Sequence, residues 1–140
     1  MEDRNLFKAK RLDNEEWVQG ALIYDNKDEL YRIITEIDYS TGTCVMTEKA
    51  PRIERFTACQ CTGLKDKNGN LIWENDIMVA HLDENYPEDK TYAKIRWHEN
   101  GFYIIENGSK DISPIGKFDQ DHFEVCGNVF DNKELLESEG

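Results

Sequence analysis

The hydrophobic positions of this chain come in short runs separated by polar turn residues, and the dominant period is two. Tyr92 to Trp97 shows it most cleanly: Ala93, Ile95 and Trp97 point one way while Tyr92, Lys94 and Arg96 point the other. His98-Glu99-Asn100-Gly101 then supplies a turn and Phe102 to Ile105 a returning strand, so this stretch predicts a hairpin with one buried and one wet face. Upstream, Leu6 to Leu12 and Trp17 to Tyr24 read as two strands around an Asp13-Asn14 turn. Asp25 to Asp28 is a further turn before Leu30 to Ile37, which is rich in β-branched residues and reads as a strand, with a two-turn helix as the alternative. Ser40-Thr41-Gly42 predicts a turn and Thr43 to Met46 a short strand. Thr47 to Arg55 reads as a loop or a single helical turn, and Phe56 to Cys61 as extended chain.

The centre of the sequence is Cys61 to Ala80. Asn68-Gly69 predicts a tight type I′ turn, because both residue types accept positive φ. Leu71-Ile72-Trp73 and Ile77 to Ala80 are strand-prone, and Glu74-Asn75-Asp76 between them predicts a kink. A charged loop spans His81 to Asp89, Asn107 to Gln120 reads as irregular, and Phe123 to Phe130 is a last strand broken at Gly127-Asn128. Asp131-Asn132 is placed to cap a short helix from Lys133 to Leu136. Short strands without strand–helix alternation predict one all-β or β-dominated domain over residues 1–140: an N-terminal β region (1–55), a small partly open barrel, SH3-like, in the C-terminal half (56–130), and a short helix and tail (131–140).

The run Thr62 to Ile77, T-G-L-K-D-K-N-G-x-x-I-W-E-x-D-I, resembles the signature of the YopX family, small proteins found mainly in bacteriophages and prophages. The opening with Phe7, Lys10, Arg11, Asp13, Trp17, Val18 and Gly20 is similar to the same family, as is the ending E-V-C-G-N-V-F-D-N-K-E-L-L. Two departures stand out: Cys61 occupies a place where the family pattern suggests a bulkier aromatic, and Lys133 one where it suggests proline. The resemblance implies a β-rich fold and a phage setting, and brings no established activity. Its central residues, Thr62, Gly63, Leu64, Asp66, Asn68, Gly69, Trp73, Glu74 and Asp76, are expected to be structural.

Composition narrows the function classes. The 140 residues carry 29 acidic against 17 basic side chains, a formal charge of −12, which disfavours binding that neutralises nucleic-acid phosphates. No apolar run of membrane-spanning length and no signal-peptide pattern is present, so a cytoplasmic location with reduced cysteines is the expectation. Cys59 and Cys61 lie two apart, sharing a strand face as small apolar side chains, while Cys44 and Cys126 are isolated, so no metal is expected. His81, His98 and His122 are scattered, and no nucleophile-elbow, zinc-protease or phosphate-loop motif appears, so no enzyme and no cofactor is expected. Trp73, Tyr86, Tyr92 and Tyr103 are exposed-aromatic candidates, although Trp73 and Trp97 read more simply as core anchors of their hairpins. The loop residues Asp83, Glu84, Tyr86, Glu88 and Asp89 are the candidate interaction surface. The functional expectation is an accessory protein that binds a protein partner, such as a host nucleic-acid-handling factor, with its carboxylates standing where phosphates are expected. The alternative is nucleic-acid or small-ligand binding, with Lys8, Lys10, Arg11, Lys94 and Arg96 gathered on one face; self-association stays open.

Overall fold

The structure, a computed structural model, describes residues 6–35, 50–81, 85–86, 88–109 and 112–137. Among the described residues ten strands form two antiparallel five-stranded sheets, in spatial order β3 (Leu30–Ile34), β2 (Trp17–Asp25), β1 (Phe7–Lys10), β4 (Cys59–Lys65), β5 (Leu71–Trp73) and β10 (Glu124–Asn128), β6 (Asp76–Ala80), β7 (Thr91–His98), β8 (Gly101–Glu106), β9 (Ser113–Pro114), and neither closes into a complete barrel. The chain divides into two compact units, Met1–Cys61 and Thr62–Gly140. No helix of the described residues is long and apolar enough to cross a membrane.

In the first unit β1 (Phe7–Lys10), β2 (Trp17–Asp25) and β3 (Leu30–Ile34) form the antiparallel meander predicted by the alternating pattern. Leu30 to Ile34 is a strand, as its β-branched content indicates, and not the alternative helix. Register sets Ala9 opposite Val18 and Leu22 opposite Ile33, so the apolar side chains of three strands meet on one face. Ile53 completes that core with Ala9 and Ile33. It arrives on a strap, residues 51–54, hydrogen-bonded on both sides. The Ile33 N–H donates to Pro51 C=O and Ile53 N–H to Tyr31 C=O, while Leu12 N–H donates to Arg52 C=O and Glu54 N–H to Lys10 C=O. The expected turn at 40–42 and strand at 43–46 lie outside the described residues.

Phe56 differs from its expected extended state. It sits in a 3-10 turn, Arg55–Thr57, and the next strand, β4 (Cys59–Lys65), begins only at Cys59. The hydroxyl of Thr57 explains the tight turn: it donates to Glu54 C=O at 2.7 Å and accepts the Lys10 N–H at 2.9 Å.

Arg32 ties this unit together from β3. Its buried guanidinium donates through Nε to Asp25 at 2.8 Å, through Nη2 to Asp28 at 2.7 Å, and through Nη1 to the Ala50 carbonyl at 2.7 Å. The hydrogen bond from Arg32 holds the Asp25 carboxyl below the usual carboxylate range, and Arg11 does the same to Asp13. A depressed folded-state pKa means that the unfolded chain takes up protons first as the medium acidifies. This stabilisation is therefore complete above about pH 4, the unfolded value, and is lost as pH falls through the folded one. Urea unfolding of Asp25→Asn is expected to show lower stability than the parent at neutral pH and a shallower further loss below about pH 4. Parallel acid profiles for the two proteins would contradict the assignment.

In the second unit the C-terminal half of β4 neighbours β5 (Leu71–Trp73). β6 (Asp76–Ala80) is buried along its length between β10 (Glu124–Asn128) and β7 (Thr91–His98), and β7 pairs with β8 (Gly101–Glu106). The core is built from Ile72, Met78, Ala80, Ala93, Ile95, Ile104 and Phe123. The segment expected to be irregular holds a two-residue strand, β9 (Ser113–Pro114), and a helix, α1 (Lys117–His122). The helix entry is fixed by Asp119, whose Oδ2 accepts the Gly116 N–H at 2.9 Å. The break in β10 falls one residue before the expected Gly127-Asn128: the register shifts between Val125 and Gly127, leaving Cys126 in a bulge, while Gly127 and Asn128 stay paired with Ile77 and Asp76. The final helix, α2, spans Glu134–Glu137. The expected cap, Asn132, turns its side chain back instead, accepting the Asn128 N–H at 3.2 Å and lying over Gly127, where a Cβ would come within 2.5 Å of its Oδ1.

Candidate functional site

The motif residues 62–76 build a polar corner. Thr62 donates its hydroxyl to Ile72 C=O at 2.7 Å and accepts the Leu64 N–H, clamping β4 to β5. Gly63 adopts φ +82°. Asp66, only 6% exposed, is the hub: Oδ1 accepts the N–H groups of Asn68 and Asn70, each at 2.9 Å, and Oδ2 accepts the Val125 N–H at 2.8 Å. One carboxylate thus shapes the hairpin loop and anchors β10 to it. Asn68 adds a bond from Nδ2 to Glu124 Oε2 at 2.6 Å.

The loop itself differs from the expected type I′ turn. Gly69 takes φ +85° but Asn68 is not in the positive-φ region. The Gly69 N–H bonds Asp66 C=O at 3.0 Å and the Asp66 N–H bonds Asn70 C=O at 2.8 Å, which makes a three-residue loop ending on a left-handed glycine. The Asp66 side chain selects this form by collecting two N–H groups a type I′ turn would direct elsewhere. At the next bend Asn75 has φ +70°, and Asp76, 1% exposed, accepts the Trp73 N–H at 2.8 Å, while Glu74 lies in the turn.

The aromatic candidates separate. Trp73 is buried, Tyr92 and Tyr103 are half-buried, and Tyr86 is 56% exposed. Beside Tyr86, Glu88 and Asp89 are exposed, and Asp89 N–H closes a turn on Tyr86 C=O at 2.9 Å. Asp83 and Glu84 lie outside the described residues. Trp97, expected in the core, is 49% exposed, its ring packed edge-on against Phe102 at 5.0 Å. The cause is strand length: pairing of β6 with β7 ends at Ile77–Lys94, so the tip of the β7–β8 hairpin runs beyond its neighbour. Glu99, φ +54°, makes that tip turn. Alternation in the sequence identifies the side of the strand on which Trp97 lies, but not where the adjacent strand stops.

Cys59 and Cys61 are both buried on β4, and the Cys59 thiol contacts Thr57 C=O at 3.2 Å. Cys126 is exposed as a residue, but its sulfur turns toward Ile77 C=O at 3.4 Å, and this partial burial is the main influence pushing the thiol pKa up. All three histidines are exposed; His122 stacks on Phe118 at 4.1 Å, and its Nδ1 lies 2.9 Å from Phe118 C=O. Among the described residues no three His, Cys, Asp or Glu side chains form a metal-holding group. Of the basic candidates, Lys8 and Lys10 lie over the Trp17 ring at 5.1 and 5.6 Å and Arg11 is clamped by Asp13 in the first unit, while Lys94 and Arg96 belong to the second.

These features define a strand-dominated protein of two antiparallel sheets, whose most elaborate polar constellation is an internal carboxylate-centred corner. The profile of the YopX protein family matches residues 6–137, and the chain belongs to that family. Among solved structures it is similar to protein EF1440 from Enterococcus faecalis, with a TM-score of 0.59 and 24% identity over 93% of this chain and 96% of that one. That likeness concerns the fold. No curated protein matches the chain.

Proposed function

We propose that this chain is a non-enzymatic binding protein of a phage or prophage, working in the cytoplasm of the bacterial host. Its partner in this reading is a protein with a basic surface, of the kind that handles nucleic acid. We read the second unit as SH3-like in the order of its strands, with the loop between β6 and β7 as the contact element. The observation that carries the reading is Tyr86, an exposed aromatic ring beside exposed Glu88 and Asp89 on a chain of net charge −12. An aromatic ring supplies contact area and the carboxylates supply steering toward positive potential. Asp66, Asp76 and Thr62 are engaged with backbone groups inside the fold, which leaves recognition to surface groups such as these. The net charge of −12 supports a protein partner over nucleic acid, because affinity for a nucleic-acid backbone comes from neutralising many phosphates with Lys and Arg.

The test is capture of partners from host lysate on the tagged protein, washed at low and high salt. A partner retained at low salt and released as salt rises is expected. Neutralising Asp83, Glu84, Glu88 and Asp89 to amides, together with Tyr86→Ala, is expected to weaken its capture by about tenfold or more. Equal capture by parent and variant would remove the acidic loop from recognition.

A further inference from the structure

A cavity of about 410 Å³ opens in the first unit between the turn after β1 and the strap that crosses to β3. Arg11, Arg32 and Arg52 line it with Asp13, Leu12 and Pro51. Three arginines at one cavity are a marked concentration in a chain with 17 basic residues and a net charge of −12. Their states differ in a way that matters. Arg32 is a fixed wall, its three guanidinium nitrogens engaged by Asp25, Asp28 and Ala50 C=O. Arg11 is held in place by one edge only: Nε and Nη2 donate to the two oxygens of Asp13 at 2.8 and 2.7 Å, and Nη1 lies outside that clamp. Arg52 is 58% exposed, and its Nη2 stands 3.9 Å from Asp28 Oδ2, beyond hydrogen-bonding range.

Stability alone gives little reason for this arrangement on the solvent side, since exposed pairs such as Arg11–Asp13 contribute little to folding. Recognition gives a better one. An arginine oriented by a carboxylate presents its remaining N–H groups with little entropy left to lose, and the planar fork of a second suits an oxyanion. Leu12, 48% exposed, and Pro51 give the same cavity an apolar side, and its volume falls in the range of small-molecule sites.

We propose that this cavity binds a small organic anion, a carboxylate or a phosphate monoester carried on an apolar or aromatic body. Arg52 and the outer edge of Arg11 hold the anionic group, and Leu12 and Pro51 cover the apolar part. The inference is independent of the partner-binding loop: it concerns the first unit, and the loss of either reading leaves the other standing.

The experiment is an NMR titration of the full chain with phenyl phosphate and, separately, benzoate, against sodium chloride at matched ionic strength. Binding of at least one probe, above the chloride control, is expected. Binding of phenyl phosphate alone assigns a phosphate ester, binding of benzoate alone a carboxylate, and binding of both a general oxyanion site. Arg52→Ala, an exposed position whose loss spares the fold, is expected to weaken binding about tenfold, the size of one lost charge-assisted contact. Asp13→Asn keeps one acceptor oxygen to orient Arg11 and removes the negative charge beside the bound anion, so it is expected to tighten binding severalfold. Neither probe binding, Arg52→Ala binding as well as the parent, or Asp13→Asn binding no tighter would each overturn the proposal.

Discussion

Asp66→Ala is expected to destabilise the protein by about 4 kcal/mol, the scale on which a buried, multiply bonded polar group is lost. The carboxylate accepts three backbone N–H groups, those of Asn68, Asn70 and Val125, and alanine leaves all three without that acceptor. Asp66→Asn separates geometry from chemistry. It keeps one acceptor oxygen for the loop but turns an NH₂ toward the Val125 N–H, so about half the loss is expected to remain, near 2 kcal/mol. Urea denaturation of the three proteins side by side measures this directly. A loss under about 1 kcal/mol for Asp66→Ala would mean that water replaces the carboxylate at no great cost and that the corner is not what holds β10.

Gly20→Ala is expected to cost about 3 kcal/mol or more, chiefly for a reason of contact. Gly20 is buried in β2, and a Cβ built there would sit 2.0 Å from the Ile34 carbonyl oxygen and 2.8 Å from its carbon. Those are backbone atoms of the next strand, which a rotamer change does not move. β2 and β3 would have to separate, and the apolar cluster of Ala9, Ile33 and Ile53 with them. Thermal unfolding of Gly20→Ala beside Gly101→Ala, where a Cβ meets nothing within 4 Å, provides the control. Similar midpoints for the two variants would show that the first unit yields more easily than its packing indicates.

Period-two patterning located strands such as β7, whose apolar residues face one side, while β6, buried along its length, showed as a continuous apolar run. Cys59 and Cys61 followed the same rule and are buried together. What failed did so where the deciding partner lies far along the chain. Asn68-Gly69 marked the loop, but its form depends on Asp66, whose second oxygen is engaged by Val125, 59 positions away. Trp97 was placed on the correct strand and the wrong side of the surface, because the end of β6 is a property of the sheet and not of β7. Helix α1 has six residues and buries none, so it carries no apolar period to read. The arginine cavity was equally hidden: Arg11, Arg32 and Arg52 are remote in sequence, and only the strap at 51–54 brings them to one place. Of the candidate surface, residue type alone pointed to Tyr86 and its acidic neighbours, but gave no indication that Trp97 is half exposed over Phe102.

The reach of the Asp66 corner also has a kinetic side. The β7–β8 and β2–β3 hairpins join residues close in the chain and close small loops, while the Asp66–Val125 bond must bring together ends 59 residues apart. Such a contact forms late, after the hairpins have shortened the effective distance, and behaves as a latch on a nearly assembled sheet. Cutting it is therefore a matter of residence time: Asp66→Ala is expected to leave the rate of folding almost untouched and to shorten the lifetime of the folded state, the pattern of a contact absent from the transition state.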